Sequence, residues 1–319
     1  MHIRDVSLGL IATGLFLVYL QTVAQAEYVV VANEHAGTLT IIDRAAGDAS
    51  HSLDVGGDPH NLAATTDGKV VVTHPAAGLV SIVDPRQPIV LTQFSLTGKP
   101  HGVAVGMDGR WAYVGAESGR SIHVLDLESL RTDRVYKSEP APHNLVVTVA
   151  KRAWITVLGG RFLWSMDLNN GTLVHRLETS ASPHDLALDV HGNAVWVANW
   201  GSADVFYVHG DPPRVDTVKI SGRQPHHVAV SPDGGEVWIT NHASEDISVI
   251  DSRGRREIAR IAVGVAPHHV TFSGDGLSAF AANSGSDDVS VIDVKAKREI
   301  GRFKAGAHPH GIVTVPQRR

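Results

Sequence analysis

The sequence contains no cysteine. Disulfides, thiolate metal sites, iron–sulfur clusters and a cysteine nucleophile are therefore excluded. Positive charge is not in excess either, with 28 Lys and Arg against 33 Asp and Glu and a formal net charge of −5. Composition thus implies no basic surface able to follow a phosphate backbone, and nucleic acid is not an expected partner. No P-loop, dinucleotide-binding fingerprint or Ser-His-Asp spacing is present, so the sequence signatures of those enzyme classes are missing. Long apolar runs are lacking as well. The one candidate, Val6 to Leu20, is shorter than the ~20 residues a spanning helix needs. With Arg4 before it and Ala24-Gln25-Ala26 after it, this run reads as a secretory leader, residues 1–26, removed to leave a mature chain starting at Glu27. An exported chain without cysteine fits a bacterial periplasm or the outside of the cell, with no membrane-spanning segment after cleavage.

Glycine and histidine, by contrast, are plentiful, at 31 and 19 residues. The glycines suit a fold full of tight turns, and the histidines mark a repeat. Seven of the 15 prolines precede histidine, at Pro59-His60, Pro100-His101, Pro142-His143, Pro183-His184, Pro225-His226, Pro267-His268 and Pro309-His310. Successive histidines of these pairs lie 41 or 42 residues apart. A period of ~40–45 residues built from short strands is the signature of a propeller blade.

One period, Pro225 to Ala266, shows the plan. His226–Val230 is an inner strand, a, and Ser231-Pro232-Asp233-Gly234 is a turn, in which proline pre-sets φ and glycine takes the positive φ. Glu236–Asn241, Asp246–Asp251 and Arg256–Val263 follow as strands b, c and d. Strand b recurs at 28–33, 69–74, 110–115, 153–157, 195–199, 236–241 and 277–283, which gives seven blades. The mature chain opens on a strand b and ends on a strand a, His310–Val315. The expected fold is therefore all-β: one domain, residues 27–319, forming a seven-bladed β-propeller of four-stranded antiparallel blades. Its ring is closed by the C-terminal strand joining the N-terminal blade.

Three phrases, Pro-His-His-Val-Ala-Val-Ser-Pro-Asp-Gly (225–234), Val-Trp-Val-Ala-Asn (195–199) and Asp-Ile-Ser-Val-Ile-Asp (246–251), resemble the repeat of the YVTN family of seven-bladed propellers. The resemblance runs from Glu27 to the C-terminus and implies the propeller fold. For function it is broad, because the same likeness spans surface proteins, scaffolds, lyases, lactonases and the haem d1 domains of nitrite reductases. Two repeats depart from the pattern. Val149-Ala150-Lys151-Arg152 has no Asp-Gly turn, and Tyr207-Val208-His209-Gly210 lacks the Asp that ends strand c elsewhere.

In an antiparallel meander the start of strand a, the b–c loop and the d–a loop share one face of the disc. The seven Pro-His histidines, on the innermost strands, are thus expected to ring one mouth of the central channel. His35, His74 and His242 in b–c loops, with His227, His269 and His308 beside ring positions, are expected on the same face as auxiliary or supporting groups. Trp200, at a b–c loop tip, is placed to stack on a bound cofactor or to shield a blade junction. Asp43, Asp84, Asp126, Asp167, Asp251 and Asp293 end strand c on the opposite face and read as turn caps. Glu245-Asp246 and Asp287-Asp288, in b–c loops on the histidine face, read as solvated loop charge, with a secondary cation site as the alternative.

Two origins for the ring stay open. Duplication of one loop-capping histidine makes seven copies a single event. Retention of histidine in every blade, while Ser-Pro-Asp-Gly survives intact only at 231–234, favours a ligand set. Neutral imidazoles suit copper, zinc, nickel or iron, and the lack of thiolate argues against a closed Cu(I)–thiolate site. The expected function is therefore an exported propeller that binds a transition metal, copper foremost, or a metal-bearing cofactor such as haem d1. One ion takes about four to six of these ligands, so seven imply several ions or a subset with supporting partners. The alternatives are a non-catalytic scaffold of the YVTN type that binds another periplasmic protein, and a lyase- or lactonase-like enzyme using the same mouth. Crowding is expected to hold the ring imidazoles below ~6.5, with metal released in acid and the fold persisting.

Overall fold

The computed structural model describes residues 27–179 and 182–316. The leader expected at 1–26 lies outside the described residues. Among the described residues, 28 strands form seven antiparallel sheets of four. Among the described residues no helix is long and apolar enough to cross a membrane. The inner strands, in chain order, are Leu62–Ala64, Pro100–Val105, Leu145–Val147, Pro183–Leu188, Pro225–Val230, Pro267–Phe272 and Pro309–Pro316. The last of these pairs with Glu27–Asn33, with Tyr28 opposite Val315 and Val30 opposite Val313. The two ends of the described chain thus share one blade, and the closed ring leaves no blade exposed at a gap.

The middle strands of a blade are covered on both faces by the neighbouring blades. Val70–His74 and Val195–Asn199 are buried at every position, which is why residues 70–72 and 195–198 read as continuous apolar runs. Outermost strands keep the period of two, and Ile89–Ser95 alternates exposed and half-buried throughout. The hydrophobic core is accordingly divided among blade junctions. Trp238, Ile247 and Val249 of one blade pack against Val270, Phe272 and Ala279 of the next. At the junction beside the closing blade, Val29, Val31 and Ile42 meet Phe280, Ala282 and Val289.

The turns follow their chemistry. Gly234 adopts φ +70° in the Ser-Pro-Asp-Gly turn, and in the blade without Asp-Gly it is Lys151 that takes φ +55°, a conformation disfavoured for residues with a Cβ. Strand-ending aspartates cap turns as expected, Asp43 accepting from the backbone N–H of Ala45 and Ala46 and Asp126 from those of Glu128 and Ser129. The reading of Asp246 and Asp288 as solvated charge needs correction. Each lies directly opposite the last residue of strand b and accepts from its amide, Asn241 Nδ2 at 2.8 Å and Asn283 Nδ2 at 2.7 Å. They clasp the b–c hairpin.

Candidate functional site

A bulge at the start of the inner strand aims the histidines. Pro225 pairs with Asn241, but regular pairing resumes only at Val228 opposite Ile239, so His226 and His227 share the space opposite Thr240. A bulge suspends the in–out alternation of a strand and re-aims its side chains. Here Thr240 secures it, its Oγ1 accepting from the His227 N–H at 3.0 Å. Thr73 and Thr156 accept equivalently from the N–H of Asn61 and Asn144. Irregular pairing also follows Pro100, Pro183 and Pro267.

The seven Pro-His imidazoles form a closed ring. Going round, centroid separations are 4.4 Å for His60–His101, 3.9 Å for His101–His143, 4.7 Å for His143–His184 and 4.2 Å for His184–His226. They continue at 4.5 Å for His226–His268, 4.4 Å for His268–His310 and 3.7 Å back to His60. His60 is half-buried, and the other six are 3–8% exposed.

Hydrogen bonding divides this ring into two arcs. In the first, His101 Nδ1 lies 3.1 Å from the His143 carbonyl, His184 Nδ1 3.0 Å from the His226 carbonyl, and His143 Nδ1 2.6 Å from Glu117 Oε1. An acceptor on one ring nitrogen fixes the tautomer and leaves the other nitrogen's lone pair free for a ligand role. The free nitrogens of His143 and His184, both Nε2, face each other at 3.3 Å. Two nitrogens on one ion at about 2.0–2.1 Å and a tetrahedral angle lie about 3.3–3.4 Å apart, so this pair already has the spacing of adjacent ligands. In the second arc, the Nδ1 atoms of His60, His226, His268 and His310 are buried without a hydrogen-bond partner. Each such nitrogen costs roughly 1–3 kcal/mol. Ligand atoms of His226, His268 and His310 lie within 4.8 Å of one another.

Above the ring lie residues that open the b–c loops. Trp200 is 5.5 Å from His184 and 5.4 Å from His226, and His242 is 5.1 Å from His268. Below it lie the residues that follow each ring histidine. Asn61 and Asn144 donate from Nδ2 to the His101 and His184 carbonyls, tying neighbouring blades together. Gly102 and Gly311 leave room for the adjacent chain, since a Cβ there would meet the His143 or His60 carbonyl at 2.6 or 2.4 Å. Asp185, His227 and His269 complete the layer, with His227 Nε2 3.5 Å from Asp185 Oδ2 and the His227 and His269 rings stacked at 4.0 Å. They cap an axial cavity of about 300 Å³ whose walls include Val103, Leu145, Leu186, Val270 and Ile312.

Burial sets the electrostatics. It holds His101, His227 and His268 down at about 3 and keeps His60, His184, His226, His269 and His310 well below the usual imidazole value. Repulsion from neighbouring imidazoles adds to this at every one of these except His227. The same burial pushes Asp185 up to about 7. For Glu117 burial acts upward, but the His143 hydrogen bond, with a smaller contribution from Lys99, outweighs it and holds the carboxyl below its ordinary range. Burial thus favours the neutral form of these eight imidazoles, which is the form that binds metal.

Of the histidines singled out in the sequence, His227 and His269 lie beneath the ring, His242 and His308 above it, and His35 at the exposed rim, stacked on His308 at 4.2 Å. His74 is set apart. Its Nε2 is 2.8 Å from Ser81 Oγ, the role that Asn241 plays toward Ser248 and Asn283 toward Ser290 in other blades. It therefore stands where other blades carry a structural asparagine, with Nε2 engaged by Ser81 and Nδ1 buried without a partner. Glu117 and Asp185 escaped the sequence reading. Glu117 occupies the loop register of Trp200 and His242, and Asp185 the register of His227 and His269, so aligning the repeats on those positions reveals both.

No family model matches the chain, and no curated protein matches it. Solved structures do. A hydrazine synthase chain from Kuenenia stuttgartiensis is 19% identical, with a TM-score of 0.72 over 82% of this chain and 90% of that one. Streptogramin B lyase is 15% identical, with a TM-score of 0.71 over 90% and 91%. Dihydro-heme d1 dehydrogenase NirN, solved in complex with DHE, is 16% identical, with a TM-score of 0.62 over 87% of this chain and 63% of that one. At these identities the likeness is one of fold, and it agrees with the strand topology: the chain is a seven-bladed β-propeller.

Proposed function

We propose that this propeller is an exported metal-binding protein of the YVTN-repeat type whose histidine ring takes up copper. The observation that carries the reading is the set of buried Nδ1 atoms without partners on His60, His226, His268 and His310. A loop-capping role gives each imidazole a backbone partner, whereas these four Nδ1 atoms have none, and the rings of His226, His268 and His310 are in contact with one another while His60 meets His310. His226, His268 and His310 supply the first ligand set. His101, His143 and His184 supply a second, oriented by Glu117 and two backbone carbonyls. Imidazole-only coordination suits Cu, Zn and Ni, and copper leads by the ordinary affinity order. Rings in contact at 3.7–4.7 Å favour bare ions over a planar macrocycle such as haem d1 within the ring.

Titration of the metal-free protein with Cu²⁺, Zn²⁺ and Ni²⁺ in turn tests the assignment. Copper is expected to bind tightest, at two equivalents or more in the ring. Equal, millimolar affinity for all three sinks the proposal and leaves the scaffold reading, in which the face meets another protein. Export belongs to the same proposal, and a periplasmic protein of mass beginning at Glu27 is the result it requires.

A further inference from the structure

We propose that Glu34, His35 and His308 form a separate rim site that captures a Cu²⁺- or Zn²⁺-type divalent cation from solvent and passes it through His268 to the ring. The hand-over half of this proposal rests on the ring reading, whereas the capture site does not. One ligand atom from each of the three residues lies within 4.8 Å of the others. A backbone hydrogen bond joins the two segments, the Glu34 N–H donating to the His308 carbonyl at 3.0 Å, and the Asp287 side chain holds the second segment, its Oδ1 accepting from the His308 N–H at 2.8 Å. Glu34 Oε2 is 3.1 Å from His308 Nδ1, yet that nitrogen is buried without a well-aligned hydrogen bond. A carboxylate and two imidazoles are a ligand set suited to Zn²⁺ and Cu²⁺, and three protein ligands leave coordination positions open for exchange.

Position makes the site an entrance. His35 is exposed while the ring beyond it is buried. The His308 ring stacks on His35 at 4.2 Å and meets His268 edge-on at 5.3 Å, giving a continuous file of imidazoles from solvent to the ring. An ion moving along it exchanges one nitrogen for the next without becoming fully hydrated between them.

Equilibrium dialysis against Cu²⁺, together with stopped-flow loading at limiting copper, tests this in full-length protein and in Glu34→Gln and His35→Ala variants, whose side chains are outside the ring. Both variants are expected to lose one equivalent of weakly held copper and to fill the ring at least ~10-fold more slowly, with final ring occupancy unchanged. Unchanged stoichiometry and unchanged loading overturn the rim site and leave the ring reading standing. A wild type that holds a single equivalent, lost in Glu34→Gln, supports the rim site and removes the ring reading. No bound copper in any of the three proteins overturns both.

Discussion

Metal-free protein is expected to lose stability steeply as pH falls below 6.5 and to unfold by about pH 5. Eight histidines, His60, His101, His184, His226, His227, His268, His269 and His310, are held below the usual imidazole value in the fold. In the unfolded chain they titrate near ~6.5. Below that pH the unfolded chain binds more protons than the native one, so each group removes up to about 1.4 kcal/mol of stability per pH unit until its folded value is reached. Above 6.5 the effect vanishes. Domain stabilities are about 5–15 kcal/mol, so even a partial response from eight groups is enough. This outcome is the opposite of a fold that persists in acid, and it follows from the ring lying among the inner strands themselves; unfolding midpoints separate the two expectations. Copper held as proposed by the neutral imidazoles is expected to shift the transition to lower pH. Guanidinium midpoints at pH 7.5, 6.0 and 5.0 in chelator check this, and a midpoint that does not move means that the ring takes up protons without opening.

Replacing both His226 and His268 by alanine is expected to lower copper affinity by more than the ~10–100-fold typical of a lost supporting partner. His227→Ala, beneath the ring, falls within that smaller range. His74→Asn restores the residue found at its register in other blades and is expected to leave copper binding unchanged. Competition against a chromophoric chelator measures all three. Equal effects from the double ring variant and from His74→Asn contradict the assignment of ligands.

The fold was largely legible because the Pro-His pairs mark the repeat and the turns announce themselves chemically. Strand boundaries moved by one or two residues only, as at Arg110, which lies before the strand Trp111–Ala116. The ring was legible for the same reason, since strand direction alone brings its seven positions to one mouth. What the sequence hid was contact between blades. His74 and His242 look alike as loop-proximal histidines, yet one turns inward to Ser81 and the other covers His268. Glu117 shows in the sequence only as an occupant of the loop register of Trp200 and His242, and its partner His143, 26 residues away on the next blade, is not legible there. The split into two arcs likewise depends on which carbonyl each Nδ1 meets, as for His101 and the His143 carbonyl, and bulge geometry decides that.

Elemental analysis of the protein expressed to the periplasm and purified without chelator or affinity metal tests the central claim most directly. The account predicts copper at two or more equivalents per chain, with the equivalent assigned to His226, His268 and His310 lost in the His226→Ala/His268→Ala variant. A correctly folded wild-type protein that carries no transition metal, and takes up none when copper is supplied near neutral pH, contradicts it.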